Sequence, residues 1–237
     1  MKKKLLIIIE ILLVIVLLFS SYKIINWFIN NKETKDIQKE VREKVILDDI
    51  KINTTIAHKI NFSNLKDINS DGIAWLTVNN TNVDYPILQT TNNDYYLTHN
   101  LYKEKSDAGW PFLDYRNNLN DKNIIIYAHN RLDGSMFGSL KDLKKNHYFN
   151  NLSNREIVLM TKNATLEYEI FSVYEVPEEK YYLKTNFDKK EFTKFLNTIK
   201  NRSIYKSDVD LDNTTQVLTL STCTQEDNKR LVVHAKR

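Results

Sequence analysis

A single cysteine, Cys223, is all that this 237-residue chain carries. One thiol cannot close an internal disulfide, so the fold must be held by its core alone, even outside a reducing compartment. Glycine is also scarce, with four in the chain, while Asn, Lys and Ile abound. That bias suits an AT-rich genome and makes Asn-x-Ser/Thr matches such as Asn61-Phe62-Ser63 chance occurrences. The sequence has no basic stripe with interleaved aromatics. Three charges of the net +4 come from Lys2, Lys3 and Lys4, so no nucleic-acid partner is expected. Internal repeats, low-complexity tracts and zinc-type His/Cys spacing are absent as well. What is present is the composition of an ordinary folded protein, 42% hydrophobic and 27% charged, with room for one sizeable domain and a tether.

The amino terminus bears on the compartment. Lys2 to Lys4 precede an apolar run from Leu5 to Phe19, broken by Glu10, and Ile24, Ile25, Trp27, Phe28 and Ile29 extend it. At about 1.5 Å per helical residue, roughly 20 to 25 residues cross a hydrocarbon core of about 30 Å. No small-x-small cleavage site follows, so residues 1–29 are expected to be an uncleaved transmembrane signal anchor. The lysines ahead of it predict a cytoplasmic amino terminus and an extracellular carboxyl-terminal domain. From Asn30 to Lys51 the chain is densely charged, with Ile37, Val41 and Val45 at i, i+4, i+8. That spacing predicts an amphipathic helix with one narrow apolar stripe, too short for a dimerising coiled coil. Residues 30–70 are therefore read as a helical stalk and 71–237 as the main domain. Within it Ile73-Val78, Asp84-Leu88, Trp110-Asp114, Asn123-Ala128, Glu156-Met160, Thr165-Val176, Gln216-Ser221 and Arg230-Ala235 look like strands. So many short runs separated by turn residues predict a mainly β fold, a closed or nearly closed eight-stranded barrel. Helices are expected at Met136-Lys145 and Asp188-Lys200, the latter with an apolar face of Phe192, Phe195, Leu196 and Ile199.

An unpaired thiol outside the cell is open to oxidation, and from cysteine count alone a buried core residue and a reactive one are equally admissible. Position favours the reactive reading. Cys223 ends the run Gln216-Val-Leu-Thr-Leu-Ser-Thr and precedes the polar stretch Thr224 to Lys229, which puts it at a rim. A nucleophilic thiol needs a proton acceptor. Of five histidines, His129 also stands at a strand end, after Ile124-Ile-Ile-Tyr-Ala. His58 and His99 fall in helical or irregular stretches, His147 follows a Lys-rich turn and His234 sits within the last strand; packing or surface roles suit these four. Acyl transfer also needs a partner for the oxyanion. Arg230, across the loop from Cys223, has the donors for it, although a solvated charge is the plainer reading of an Arg at a strand start. Ser221 and Thr222, which adjoin the thiol, are candidate substrate-binding residues.

These segments together resemble the sortases, class B in particular. The resemblance rests on Thr219-Leu-Ser-Thr-Cys223, Arg230-Leu-Val-Val and Tyr127-Ala-His-Asn130, in that family's arrangement. Further class B-like stretches are Trp75, Val83-Asp-Tyr-Pro-Ile87, Asn93-Asp-Tyr-Tyr-Leu97, Phe112-Leu-Asp-Tyr-Arg-Asn117 and Asp133-Gly-Ser-Met-Phe-Gly138. It covers residues 71–237 and implies an eight-stranded sortase-like β-barrel with an N-terminal helix and a helix before the cysteine strand. It also implies a cell-surface cysteine transpeptidase. Cys223 would attack the Thr carbonyl of a carboxyl-terminal sorting motif on a surface protein and form a thioacyl enzyme. His129 would move the protons and Arg230 would hold the carbonyl. The acceptor would be an amine of a peptidoglycan peptide or its lipid-linked precursor, with no cofactor and no metal. Two features depart from the family pattern: Ala128 stands where the family has Gly, and the loop from Cys223 to Arg230 is short for class B. Asp227 in that loop reads as an exposed loop residue. Some sortases outside class B respond to calcium, but Asp208, Asp210 and Asp212 lack the Gly and bidentate Glu of an EF-hand loop, which leaves a solvated acidic turn. The competing readings are a surface cysteine hydrolase with water as acceptor, and an anchored binding domain with an incidental thiol.

Overall fold

The computed structural model describes residues 2–177, 179–223 and 229–237, with Lys2 and Cys223 described by their backbone. Helix α1 (Lys2–Val45) is continuous but has two chemistries. From Leu5 to Ile29 its large apolar side chains are exposed on every side, and the helix is long and apolar enough to cross a membrane. From Asn31 onward one stripe is buried: Asn31, Thr34, Ile37, Val41 and Val45 face the domain, as a spacing of three or four residues requires.

The expected run of helix across residues 30–70 is corrected between Ile46 and Ile60. Strands β1 (Ile46–Ile52) and β2 (Thr55–Ile60) form an antiparallel hairpin there, turning at Asn53 in the left-handed region with φ 52°. The charged run hides it, because β1 is mostly exposed and alternates over few residues, and the hairpin is secured by packing of β2 on the barrel. His58 is accordingly a buried strand residue. Helix α2 (Phe62–Ile68) follows, and the Asn61 side chain caps it by accepting from the Ser63 and Asn64 amides.

The remaining strands are β3 (Gly72–Val78), β4 (Asp84–Leu88), β5 (Phe112–Leu113), β6 (Asn123–Tyr127), β7 (Glu156–Thr161), β8 (Thr165–Pro177), β9 (Val217–Cys223) and β10 (Lys229–Lys236). They close a barrel in the order β10-β8-β7-β3-β4-β5-β6-β9. Only the β4–β5 and β6–β9 pairs are parallel. Strand β6 is buried on both faces, which is why it reads as an unbroken Ile run. Two expected elements are shorter than anticipated. The strand at 110–114 pairs only through Phe112 and Leu113. The helix at 136–145 is a 3-10 turn over Gly138–Lys144, because Met136 has φ 52° and cannot begin an α-helix. A short α3 (Asn146–Phe149) precedes β7. Helix α4 (Lys189–Asn201) begins at an Asp188/Glu191 capping box. Its Phe192, Phe195, Leu196 and Ile199 pack on Phe171 and Val217, outside the barrel, each contributing about 1.5–3 kcal/mol by burial.

Asp84 fastens the N-terminal layer to the barrel. Its carboxylate accepts from Trp75 Nε1 at 2.7 Å and Thr77 Oγ1 at 3.0 Å, pairs with Arg42 of α1 and faces His58 Nε2 at 3.1 Å. The exposed Asp208, Asp210 and Asp212 alternate with Val209 and Leu211, which pack beside α4.

Candidate active site

Strand β9 lies between β6, which runs parallel to it, and β10, which runs antiparallel. The carboxyl ends of β6 and β9 and the start of β10 therefore meet at one rim. Tyr127 pairs with Ser221 and Arg230 with Cys223, and the Ala128 amide donates to the Ser221 carbonyl at 3.4 Å. Two residues beyond the Tyr127–Ser221 pair, along each strand, stand His129 and Cys223. The backbone of Cys223 is thus flanked by His129 on one side and Arg230 on the other. The polar stretch 224–228, with Asp227, lies outside the described residues.

A groove of about 330 Å³ opens at this rim. Phe112, Tyr127, Ala128, Ser221 and Thr222 make its floor, with His129 and Arg230 beside them. Asn93, Asp94 and Leu97 form one wall, and Glu179, Lys180, Tyr182 and Leu183 the other. Ser221 and Thr222 are each 3% exposed, and the Ser221 hydroxyl is within 3.1 Å of Tyr182 Oη. Larger clefts, of about 720 and 650 Å³, lie under α1 and at the opposite rim, and neither is lined by a histidine or the cysteine.

His129 Nε2 is 2.7 Å from the Leu97 carbonyl oxygen. A carbonyl only accepts, so Nε2 carries the proton, and in the neutral ring Nδ1 is left as the acceptor. This contact depends on Gly109, at φ +57°. A Cβ there would come within 2.4 Å of the Tyr96 carbonyl, 2.9 Å of the Leu97 carbonyl and 3.1 Å of His129 Cδ2. Ala128 is not among the residues with positive φ, so a side chain at that position introduces no backbone strain. The guanidinium of Arg230 donates to the Lys229 carbonyl at 3.3 Å.

Beneath the floor lies Asp114, fully buried, which accepts from Arg116 Nε at 2.9 Å and Nη2 at 2.7 Å, Tyr127 Oη at 2.9 Å and Asn93 Nδ2 at 3.1 Å. Burial pushes its carboxyl up, but the Arg116 and Tyr127 hydrogen bonds outweigh burial and hold it below the ordinary range. Burial, the neighbouring Asp114 charge and their hydrogen bond raise the Tyr127 phenol, which stays a donor.

The comparisons with known proteins agree with this geometry. The Sortase domain family matches residues 76–237. Sortase B of Listeria monocytogenes is 37% identical over 234 residues, covering 92% of this chain and 91% of its own length. Sortase B of Staphylococcus aureus is 30% identical over 242 residues, covering 100% and 97%. The chain belongs to the sortase family. Its likeness is to class B throughout: sortase B from Bacillus anthracis in complex with AAEK1 superposes with a TM-score of 0.77 at 34% identity, covering 88% of this chain and 98% of that one. Sortase B of Clostridium perfringens gives 0.70 at 39%, covering 74% and 98%. This sortase is accordingly a cell-surface cysteine transpeptidase with the eight-stranded barrel expected of it.

Three of the expected site residues, His129, Arg230 and the backbone of Cys223, meet at one rim, while Ser221 and Thr222 are mostly covered. The other histidines lie elsewhere. His58 and His234 are buried, His99 stacks on Tyr95 with centroids 4.1 Å apart, and His147 is exposed. Reading of the sequence missed the two walls and the Asp114–Arg116 pair. The family-like stretches 93–97 and 112–117 were the available signal, but nothing local told which of their side chains face the groove.

Proposed function

We propose that Cys223 is the nucleophile, His129 the proton carrier and Arg230 the group that holds the reacting carbonyl of a surface protein's carboxyl-terminal sorting motif. The Cys223 sulfur attacks the carbonyl carbon of the motif's Thr, and the Arg230 guanidinium stabilises the oxyanion. The C–N bond to the next residue breaks, its nitrogen takes a proton from His129, and a thioester remains. An acceptor amine then attacks the thioester, gives its proton to His129 and releases the thiolate, leaving a new amide. With Nε2 held by Leu97, His129 exchanges protons through Nδ1. The acceptor is an amine of a peptidoglycan peptide or its lipid-linked precursor; a similar sortase B has been solved complexed with triglycine. Residues 1–29 anchor the enzyme with its amino terminus inside, residues 30–70 hold the barrel of 71–237 off the membrane, and catalysis takes place outside.

The observation that carries this reading is the register that sets Cys223 between Arg230 and the end of β6. The test uses full-length protein in detergent with a sorting peptide and a peptide amine, read by mass spectrometry. Wild type should give the acyl-enzyme and then the transpeptidation product, and Cys223→Ala neither. Retained product in Cys223→Ala refutes the assignment, and hydrolysis alone, with the amine present, favours a hydrolase.

A further inference from the structure

Three successive backbone carbonyls in the Tyr182 wall are each gripped by a side chain from the barrel. Asn123 Nδ2 donates to the Tyr182 and Lys184 carbonyls, both at 2.9 Å. Arg116 Nη2 donates to the Leu183 carbonyl between them at 3.0 Å. Tyr181–Leu183 is a single 3-10 turn, too short to hold its own shape, so its position is set from outside.

Each grip is itself fixed. Arg116 is locked by its two-pronged contact with Asp114, and the same carboxylate holds Asn93 of the opposite wall and Tyr127 of the floor. The Tyr115 amide donates to Asn93 Oδ1 at 2.9 Å, which fixes that amide at its other end. Asn123 ends a buried chain whose directions follow from its members. Its amide nitrogen is spent on two carbonyls, so its oxygen accepts, from Thr219 Oγ1 at 2.6 Å. Thr219 must then accept from His234 Nδ1 at 2.8 Å, and His234 Nε2 accepts from Tyr174 Oη at 2.7 Å. This order requires a neutral imidazole, and His234 is completely buried. Tyr174, His234, Thr219 and Asn123 come from β8, β10, β9 and β6, so four strands stand behind the wall.

We propose that Arg116 and Asn123 are positioning residues that set the place of the Tyr182–Lys184 wall, and that Asp114 couples this wall to Asn93 across the groove. Together they fix the width of the cleft that receives the acyl donor. The proposal rests on the groove being the sorting-peptide site proposed above. It predicts a specific division of effects: loosening the wall weakens capture of an extended peptide and leaves the thiol and its proton carrier untouched.

The experiment compares Arg116→Ala, Arg116→Lys and Asn123→Ala with wild type in three readouts: peptide turnover, alkylation of Cys223 by iodoacetamide, and amide hydrogen exchange. In Arg116→Ala, KM for a sorting peptide should rise about tenfold, the scale of one lost charge-assisted hydrogen bond, with kcat and the alkylation rate within about twofold of wild type. Exchange should accelerate in residues 181–186 and stay unchanged in β3 and β7. Arg116→Lys should recover little, since an ammonium cannot span the carboxylate and the carbonyl as a planar fork does. Asn123→Ala should act in the same direction. Unchanged KM and exchange in Arg116→Ala would overturn the proposal, as would a uniform rise in exchange or a parallel fall in alkylation. If wild type fails to turn over the peptide but exchange at 181–186 still responds to Arg116→Ala, the catalytic reading falls and the wall assignment stands.

Discussion

Asp84 and Asp114 use the same chemistry for different ends. Each is a buried carboxylate that collects an arginine and aromatic or amide donors. The partners of Asp84 come from α1, β2 and β3, so that carboxylate joins layers. The partners of Asp114 reach the floor and both walls of one groove, so that carboxylate sets a shape. Where the arginine's second contact goes makes the difference. Arg116 carries on to a carbonyl in the groove wall, whereas Arg42 lies on a helix at the domain edge. A buried ion pair therefore contributes to stability or to site geometry according to what its partners hold, and one residue type serves both.

The largest effect that would test this contrast is on stability. Asp84→Ala leaves Arg42 and His58 facing a vacated site and should cost about 3 kcal/mol, read as a lower denaturant midpoint, with KM for the sorting peptide unchanged. A KM rise comparable to that of Arg116→Ala would erase the distinction. Acidification sharpens the contrast next. Burial pushes the His234 imidazole down to about 3, and burial also lowers His58 against the pull of Asp49. Both groups have folded values below the unfolded value of about 6.5, so their stability is complete above that pH and drains as pH falls, by up to about 1.4 kcal/mol per unit for each proton taken up. Between about pH 6.5 and 5 carboxylates such as Asp114, lowered in the fold, contribute little slope, because theirs is lost below about 4. His234→Gln and His58→Gln should each flatten the thermal midpoint profile in that window, and only His234→Gln should also raise KM. The smallest effect is a control. Asp188→Ala removes the α4 cap and should cost about 1 kcal/mol with KM unaltered; a raised KM would mean that any destabilisation opens the groove.

Much of the architecture was legible before any coordinates. The apolar run of α1, the Ile37/Val41/Val45 stripe, the eight strand segments and the Asp188-capped helix all write their periodicity into neighbouring residues. The hairpin at 46–60 was not legible, because charged residues on its exposed face continue the pattern of the helix before it. Of the site, Cys223, His129 and Arg230 could be named from their places at strand ends and from the family pattern. Asp114 and Arg116 stood inside a quoted stretch without a role, and Asn123 looked like the first residue of an apolar strand.

What the sequence determined by itself is what local chemistry can carry: a single thiol at a strand end, helices and strands by period, and an apolar segment long enough for a membrane. The tertiary structure decided which of these meet. The pairing of β6 with β9 joins residues about ninety positions apart, and the grip of Arg116 on Leu183 spans 67. Contacts of that kind depend on strand register and barrel closure, which the whole core sets at once, so no local pattern announces them.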